Sequence, residues 1–555
     1  MLLTKFSWEE FMKLKFSASG LLLLVLGLAT SSAQASYNHS CDYDLREGAF
    51  FYNANNRPTD GNGNAQQNEL LVFLRNADGT LSSDIQTHRV KSGGYGNQAG
   101  IVTSGQNAVI HTGEGDDQYV LMINAGYNPV AKKSFDKNGF RIDRNGSVSA
   151  FKVNKCDVVR TSVRSTRGQE PRAVTRHEGL VYVVNAGSGE VEFNGCPGLP
   201  ETFLPPTGQP CGPRAPVADE NKDPTNIIGY RFRNGKLRYI RGSNINTHDR
   251  DGDPAQISFI NEGRQVIVAQ RNTFFALGDG TEDDIVEVFN LDHKGRPSYP
   301  IVSTTTGNDN FGFSVYPREG KDYNDCVMMT HGSFQQRNQG GTSVFTVNGY
   351  GEKERIIPNK PDGGSDTCWT AISRTNTLYT SAFFDSEISI RGINPDTCNL
   401  SDGGPPVVVV DGAPQFTGVP MGYQHRVSSS SVNKGDAPGA GTRGGDISLK
   451  TDQTDFLFEA GGLDLAISKY GKDEYLYAIF APIPFYISID GDGNYIYPPL
   501  TEVTVFRVIQ DCNDTLGTGL DGMGKQYDDG CRVGDLELVQ RVPGLPGSGY
   551  GAAAQ

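Results

Sequence analysis

Eight histidines stand at His39, His88, His111, His177, His248, His293, His331 and His425, and none of them forms H-x-H or H-E-x-x-H. The sequence therefore offers no paired imidazoles of the kind a transition metal selects. His331 ends the apolar run Cys326-Val327-Met328-Met329-Thr330 and is the histidine to place in a pocket, with a satisfied structural histidine as the plainer alternative. There is no G-x-S-x-G nucleophile elbow. The G-x-G-x-x-G matches at Gly439-Gly441-Gly444 and Gly517-Gly519-Gly522 neither follow a strand nor open a helix, so both read as loops rather than phosphate cradles. Asp490, Asp492 and Asn494 alternate with glycines as oxygen ligands of a hard cation do. Tyr495, however, stands where a calcium loop needs glycine, and Thr501 where it needs glutamate. Calcium is the one cofactor this pattern admits, and no cofactor is required.

The net charge of −14 lacks the concentrated basic face of a general nucleic-acid binder. Lys13 and Lys15, the run Leu21 to Ala29 and the triplet Ala33-Gln34-Ala35 read as a signal peptide over 1–35, cleaved before Ser36. The apolar run is about half the ~20 residues of a membrane span, so the expected location is secreted, or periplasmic in a bacterium. All nine cysteines follow that cleavage point, where disulfides are the default. Cys196 with Cys211, and Cys512 with Cys531, bracket Gly-, Pro- or Asp-rich stretches and read as loop staples; Cys368 with Cys398 is a further pairing. Asn38, Asn145, Asn399 and Asn513 occupy N-x-S/T sequons, which mark surface positions and glycosylation acceptors in a host that modifies them.

Those side chains need a frame, and a repeated phrase supplies it. A short apolar strand begins near residues 49, 120, 181, 266, 327, 378 and 475, as in Val181-Tyr182-Val183-Val184-Asn185. A strand, polar turn and return strand begin near Glu69, Ser147, Asn226, Asp284, Thr342, Glu387 and Thr501. Most copies are preceded by one more strand, expected at 98–102, 171–174, 255–259, 312–315, 369–372 and 463–467. Seven units of four strands, none able to bury its own faces, predict an all-β, seven-bladed β-propeller of antiparallel blades over 49–555. Residues 36–48 lead in, and insertions fall at 190–225, 411–446 and 511–534. The first copy lacks a leading strand, and Tyr550-Gly551-Ala552-Ala553-Ala554 supplies it, so the C-terminus is expected to complete the first blade and close the ring. The strand starts nearest the axis contribute Gln98, Arg172, Gln256, Phe313, Trp369 and Asp464, a mixed polar and aromatic funnel lining suited to a ligand.

The phrases Phe73-Leu74-Arg75-Asn76-Ala77-Asp78-Gly79-Thr80-Leu81 and Pro543-Gly544-Leu545-Pro546-Gly547 resemble the seven-bladed lactonase-type propellers, which include 6-phosphogluconolactonase-like and muconate-lactonising proteins. The resemblance covers roughly 49–555. Enzymes of that group often carry a His-Pro-His-Ser type motif opening an inner strand, and at the matching place this chain has Glu170-Pro171-Arg172-Ala173. The resemblance implies hydrolysis of a sugar-derived or other small lactone, with Arg172 binding an oxyanion or carboxylate and Glu170 or Asp464 as base. Loss of the histidines turns the reading toward an extracellular binding or scaffold protein. Its partners would be a small lactone or sugar acid, or an extracellular protein or glycan.

Overall fold

A strand covered on both faces needs no alternation of polar and apolar residues, and the apolar runs form such strands. The computed structural model describes residues 41–555 apart from 57–58, 60–62, 83–87, 98–104, 133–143, 188–192, 195–211, 214–223, 249–252, 272–284, 306–309, 319–323, 333–339, 362–366, 383–386, 402–406, 409–459, 471–472, 483–487, 490–494, 497–500, 511–535 and 546–550. Of seven antiparallel sheets, six are ordered along the chain from an inner to an outer strand. Blade 2 shows the plan: Val109–Thr112, Tyr119–Asn124, Ser147–Val153 and Val158–Ser165. Blade 3 starts at Pro171–His177, blade 4 at Asp253–Ile260, blade 5 at Asn310–Tyr316, blade 6 at Thr367–Ile372 and blade 7 at Ala460–Tyr470. These inner strands touch one another in sequence around a closed cycle within Tyr43–Gln555.

Ring closure follows the expected route. Blade 1 consists of Ala552–Ala554, Ala49–Asn53, Glu69–Leu74 and Arg89–Lys91. Its inner strand pairs Ala554 with Phe50, Ala553 with Phe51 and Ala552 with Tyr52. The inner strand of blade 2 departs from expectation: it is Val109–Thr112, and 98–102 lies outside the described residues. An antiparallel partner joined by a short turn to Tyr119–Asn124 must come just before it, and Val109-Ile110-His111-Thr112 fills that place. Its four residues carry too weak an apolar signal to stand out.

Alternate side chains of each strand face opposite neighbours. Val120 and Met122 pack with Phe51 and Val72 of blade 1, while Leu121 and Ile123 pack with Val174 and Val183 of blade 3. Between the third and fourth strands, the hairpin turn of one blade seats against the preceding blade. Tyr477 Oη donates to Gly79 O of blade 1 at 3.2 Å, Thr161 Oγ1 to Gly235 O of blade 3 at 2.8 Å, and Tyr182 Oη to Gly295 O of blade 4 at 2.6 Å. At Gly79, φ is +85° and an added Cβ would lie 2.2 Å from the Tyr475 ring, so conformation and space both demand glycine.

Blade 6 makes the same contact covalently. Cys398, in its turn at φ +57°, is disulfide-bonded to Cys326 at the start of the second strand of blade 5. This corrects the expected Cys368–Cys398 pairing. Cys368 begins near the inner end of blade 6, where it is a buried thiol, whereas the turn that carries Cys398 packs on blade 5. Cys156, which occupies the equivalent turn of blade 2, is also disulfide-bonded. Cys196, Cys211, Cys512 and Cys531 lie outside the described residues, as do Asn38 and Asn513. Asn399 is exposed on the blade 6 turn and Asn145 is half-buried. No helix among the described residues is long and apolar enough to cross a membrane.

Candidate functional site

Inner strands of blades 3 to 7 share a device near their starts. Pairing with the second strand slips between Pro171 and Ala173, Pro254 and Gln256, Asn310 and Phe313, Thr367 and Trp369, and Gly462 and Asp464. A bulge re-aims the residues beside it, and here five of them act on the end of the ring where the candidate residues sit. The second strands finish at the same end. In blades 1 to 3 that last residue is Asn53, Asn124 and Asn185, and Asn53 Nδ2 ties blade 1 to Ile123 O of blade 2 at 3.2 Å. In blades 4 and 5 the same place holds Arg271 and His331.

Arg271 enters a charged cluster that spans blades 3 and 4. Arg172 Nη2 donates to Glu170 Oε2 at 3.3 Å and forms an ion pair with Asp253 Oδ1 at 3.3 Å. Arg271 Nη2 meets the other oxygen of Asp253 at 2.7 Å, and its guanidinium lies 4.5 Å from the centre of the Phe311 ring. Phe311 in turn meets Trp369 edge-on at 4.7 Å. Side-chain exposure is 2% for Arg172 and 0% for Arg271, against 13% for Asp253 and 26% for Glu170, so the cations lie beneath the carboxylates. Glu170 itself holds a φ of +47°, and its carbonyl accepts from Ala186 N.

Nearer the axis, one residue joins three blades. Gln106 comes just before the inner strand of blade 2, where its N–H donates to Ala255 O of blade 4 at 3.1 Å. Its Nε2 donates to Thr370 O of blade 6 at 2.6 Å, and its Oε1 accepts from Thr370 N at 3.2 Å. A Cβ on Gly312 of blade 5 would stand 2.1 Å from that oxygen, which explains the glycine. Next to it, Asn107 O accepts from Val174 N of blade 3. Gln256 repeats the amide clasp on a shorter span, donating to Phe313 O at 2.8 Å and accepting from Phe313 N.

The remaining sequence candidates are placed as follows. Phe313 is buried in the apolar layer between blades 4 and 5, and Trp369 is buried against Phe311. His331 is fully buried with Nε2 2.6 Å from Ser343 Oγ, and burial drives its pKa down to about 3. A serine beside an imidazole is the pairing from which a nucleophile is made, but a base that weak at neutral pH removes no proton efficiently. Asp464 is buried where blade 7 meets blade 1, accepting from Leu465 N and from Ala552 N, each at 2.8 Å. Glu170 and Arg172 are thus brought together, while Asp464 is engaged by the C-terminal strand. Gln98, Asp490, Asp492 and Asn494 lie outside the described residues. Among the described residues no cluster of three His, Cys, Asp or Glu is placed to hold a metal ion. Sequence reading missed Gln106, Arg271, Phe311 and Ser343. The repeat did hold a signal for Arg271, which breaks the run of strand-ending asparagines.

Fold and site together define a seven-bladed β-propeller with a buried charge cluster at one end and a glutamine laced across its axis. No family model matches the chain, and neither does any curated protein. In solved structures the chain is similar to a periplasmic gluconolactonase of Pseudomonas aeruginosa, at 11% identity over 91% of this chain and 98% of that one, with a TM-score of 0.46. It is also similar to a Bacteroides fragilis protein assigned as a 6-phosphogluconolactonase, at 10% identity over 92% and 98% of the two chains, with a TM-score of 0.42. A protein from Lactobacillus plantarum is 10% identical over 79% of this chain and 99% of that one, with a TM-score of 0.37. Likenesses this distant assign no activity to the chain.

Proposed function

We propose that the chain is an exported, non-catalytic binding or scaffold protein built on a lactonase-type propeller. One observation carries the reading: the polar groups that would perform lactone hydrolysis are engaged with one another or with backbone. Arg172 is held between Glu170 and Asp253, and Asp464 receives the C-terminal strand. Gln106 joins blades 2, 4 and 6 near the axis. A hydrolase needs a base free to take a proton from water and a donor aimed at the developing oxyanion. Glu170 is the one member of the trio with appreciable exposure, and its Oε2 is engaged by Arg172. The disulfide between Cys326 and Cys398 suits export to an oxidising compartment, whether secreted or periplasmic.

The reading is tested by a pH-stat assay of wild type and Arg172→Ala on a panel of aldono-1,4- and aldono-1,5-lactones, with folding checked by circular dichroism. Proton release by the folded wild type is expected to equal the buffer rate. Turnover by wild type that Arg172→Ala abolishes would restore the hydrolase reading and place its chemistry at the charged cluster.

A further inference from the structure

The seam that closes the ring is short. Only three residues, Ala552–Ala554, form the inner strand of blade 1, and methyl groups are all they contribute to packing. Backbone bonds from Asn53 N to Gly551 O at 3.2 Å and from Gln555 N to Ala49 O at 3.1 Å extend the pairing by one residue at each end. On the other side the strand meets blade 7, where Ala552 N donates to Asp464 Oδ2. We propose that Asp464 and the C-terminal strand form a pH-sensitive latch, closed while the carboxyl is neutral and loosened when it ionises. Nothing in this depends on what the ring binds.

The geometry explains the direction. Asp464 is 2% exposed and, among the described residues, accepts only from backbone N–H groups, so an ionised carboxyl there is desolvated with no described cation beside it. Elements packed on its strand offer no counter-charge. The strands Ala552–Ala554, Thr367–Ile372 and Thr377–Ala382 carry no charged residue; their titratable groups are Cys368 and Tyr379. On Asp473–Pro482 the charges are Asp473 and Glu474, which pair with Tyr470 and Lys469, whereas Asp464 pairs with Ile479 far along the same ladder. Tyr475 and Tyr477 on that strand are both pushed to higher pKa by burial and stay neutral. Burial holds Asp464 up at about 7 even though the bonds from Ala552 N and Leu465 N favour its ionised form. Release of the strand admits water and lets the carboxyl return to its ordinary acidity. Opening therefore sheds a proton between about pH 4 and pH 7, and it becomes easier as pH rises through that window.

Hydrogen exchange of the full-length protein, read by mass spectrometry on the C-terminal peptide and corrected for intrinsic exchange, tests this. Protection of Ala552–Ala554 is expected to fall about tenfold per pH unit from pH 5 to pH 7 and to level off above it. Tyr119–Asn124, in the middle of blade 2, serves as the internal control and should not follow that slope. In Asp464→Asn the slope should vanish. A flat profile in wild type overturns the proposal without any variant; so does an unchanged slope in folded Asp464→Asn.

Discussion

Replacing Asp253 with asparagine removes the carboxylate that Arg172 and Arg271 share while keeping its shape. Both guanidiniums lie at 2% exposure or less, so neither can turn to water without moving the inner strands of blades 3 and 4. Breaking a buried ion pair by removing one partner costs about 3–5 kcal/mol. Asp253 retains 13% exposure and Glu170 remains on Arg172, which places Asp253→Asn near the lower end, about 3 kcal/mol by that rule. Glu170→Gln removes a half-exposed partner and leaves Arg172 on Asp253, so about 1 kcal/mol is expected there, in the range of exposed pairs. Equilibrium urea denaturation reads both, with an unchanged m-value showing that the unfolded state is unaltered. If Asp253→Asn lies within about 0.5 kcal/mol of wild type, or if Glu170→Gln costs as much, the two-arginine bridge is not the organising contact of this end of the ring.

Other consequences follow from the blade contacts. Cys326→Ser with Cys398→Ser opens a link across 72 residues, and chain entropy puts the loss at about 4 kcal/mol, measurable as a fall in urea midpoint that reductant reproduces in wild type. Gly79→Ala and Gly63→Ala both force an alanine into positive φ, but only the first meets a ring at 2.2 Å, with nothing within 4 Å of the second. The first should cost at least about 1 kcal/mol more in the same assay; equal costs would show that the turn does not seat on Tyr475. His331 is neutral in the fold with its pKa lowered to about 3, so unfolding takes up a proton below about pH 6.5. Its contribution to stability is complete above that pH and is lost as pH falls toward 3; a folded His331→Gln should show a shallower decline of stability between pH 6.5 and 4.

The second and third strands of every blade were legible because burial on both faces writes continuous apolar runs, such as Val181 to Val184 and Leu70 to Phe73. Closure by Ala552–Ala554 was legible because the first copy visibly lacked a strand. What escaped reading has a common physical origin: it depends on partners far apart in sequence. Gln106 meets Thr370 across 264 residues, and no local pattern marks a glutamine for such a contact. The bulges at Arg172, Ala255 and Cys368 alter which neighbours the inner strands address, and they leave no trace in composition. Cys398 went to Cys326 rather than Cys368 because blade geometry, not chain distance, decides which turn touches which strand. Asp464 was correctly placed on an inner strand, yet its partner, Ala552 N, is a backbone group that no side-chain pattern announces.

The central claim is that the charges at the end of the ring are closed upon one another. Phenylglyoxal labelling of the native protein, read residue by residue by mass spectrometry, addresses it directly. Arg264 and Arg296, with side chains 56% and 47% exposed, should react readily, while Arg172 and Arg271 stay unmodified until the protein unfolds. Rapid native labelling of Arg172, suppressed by an aldonolactone, would contradict the account and reveal an open site.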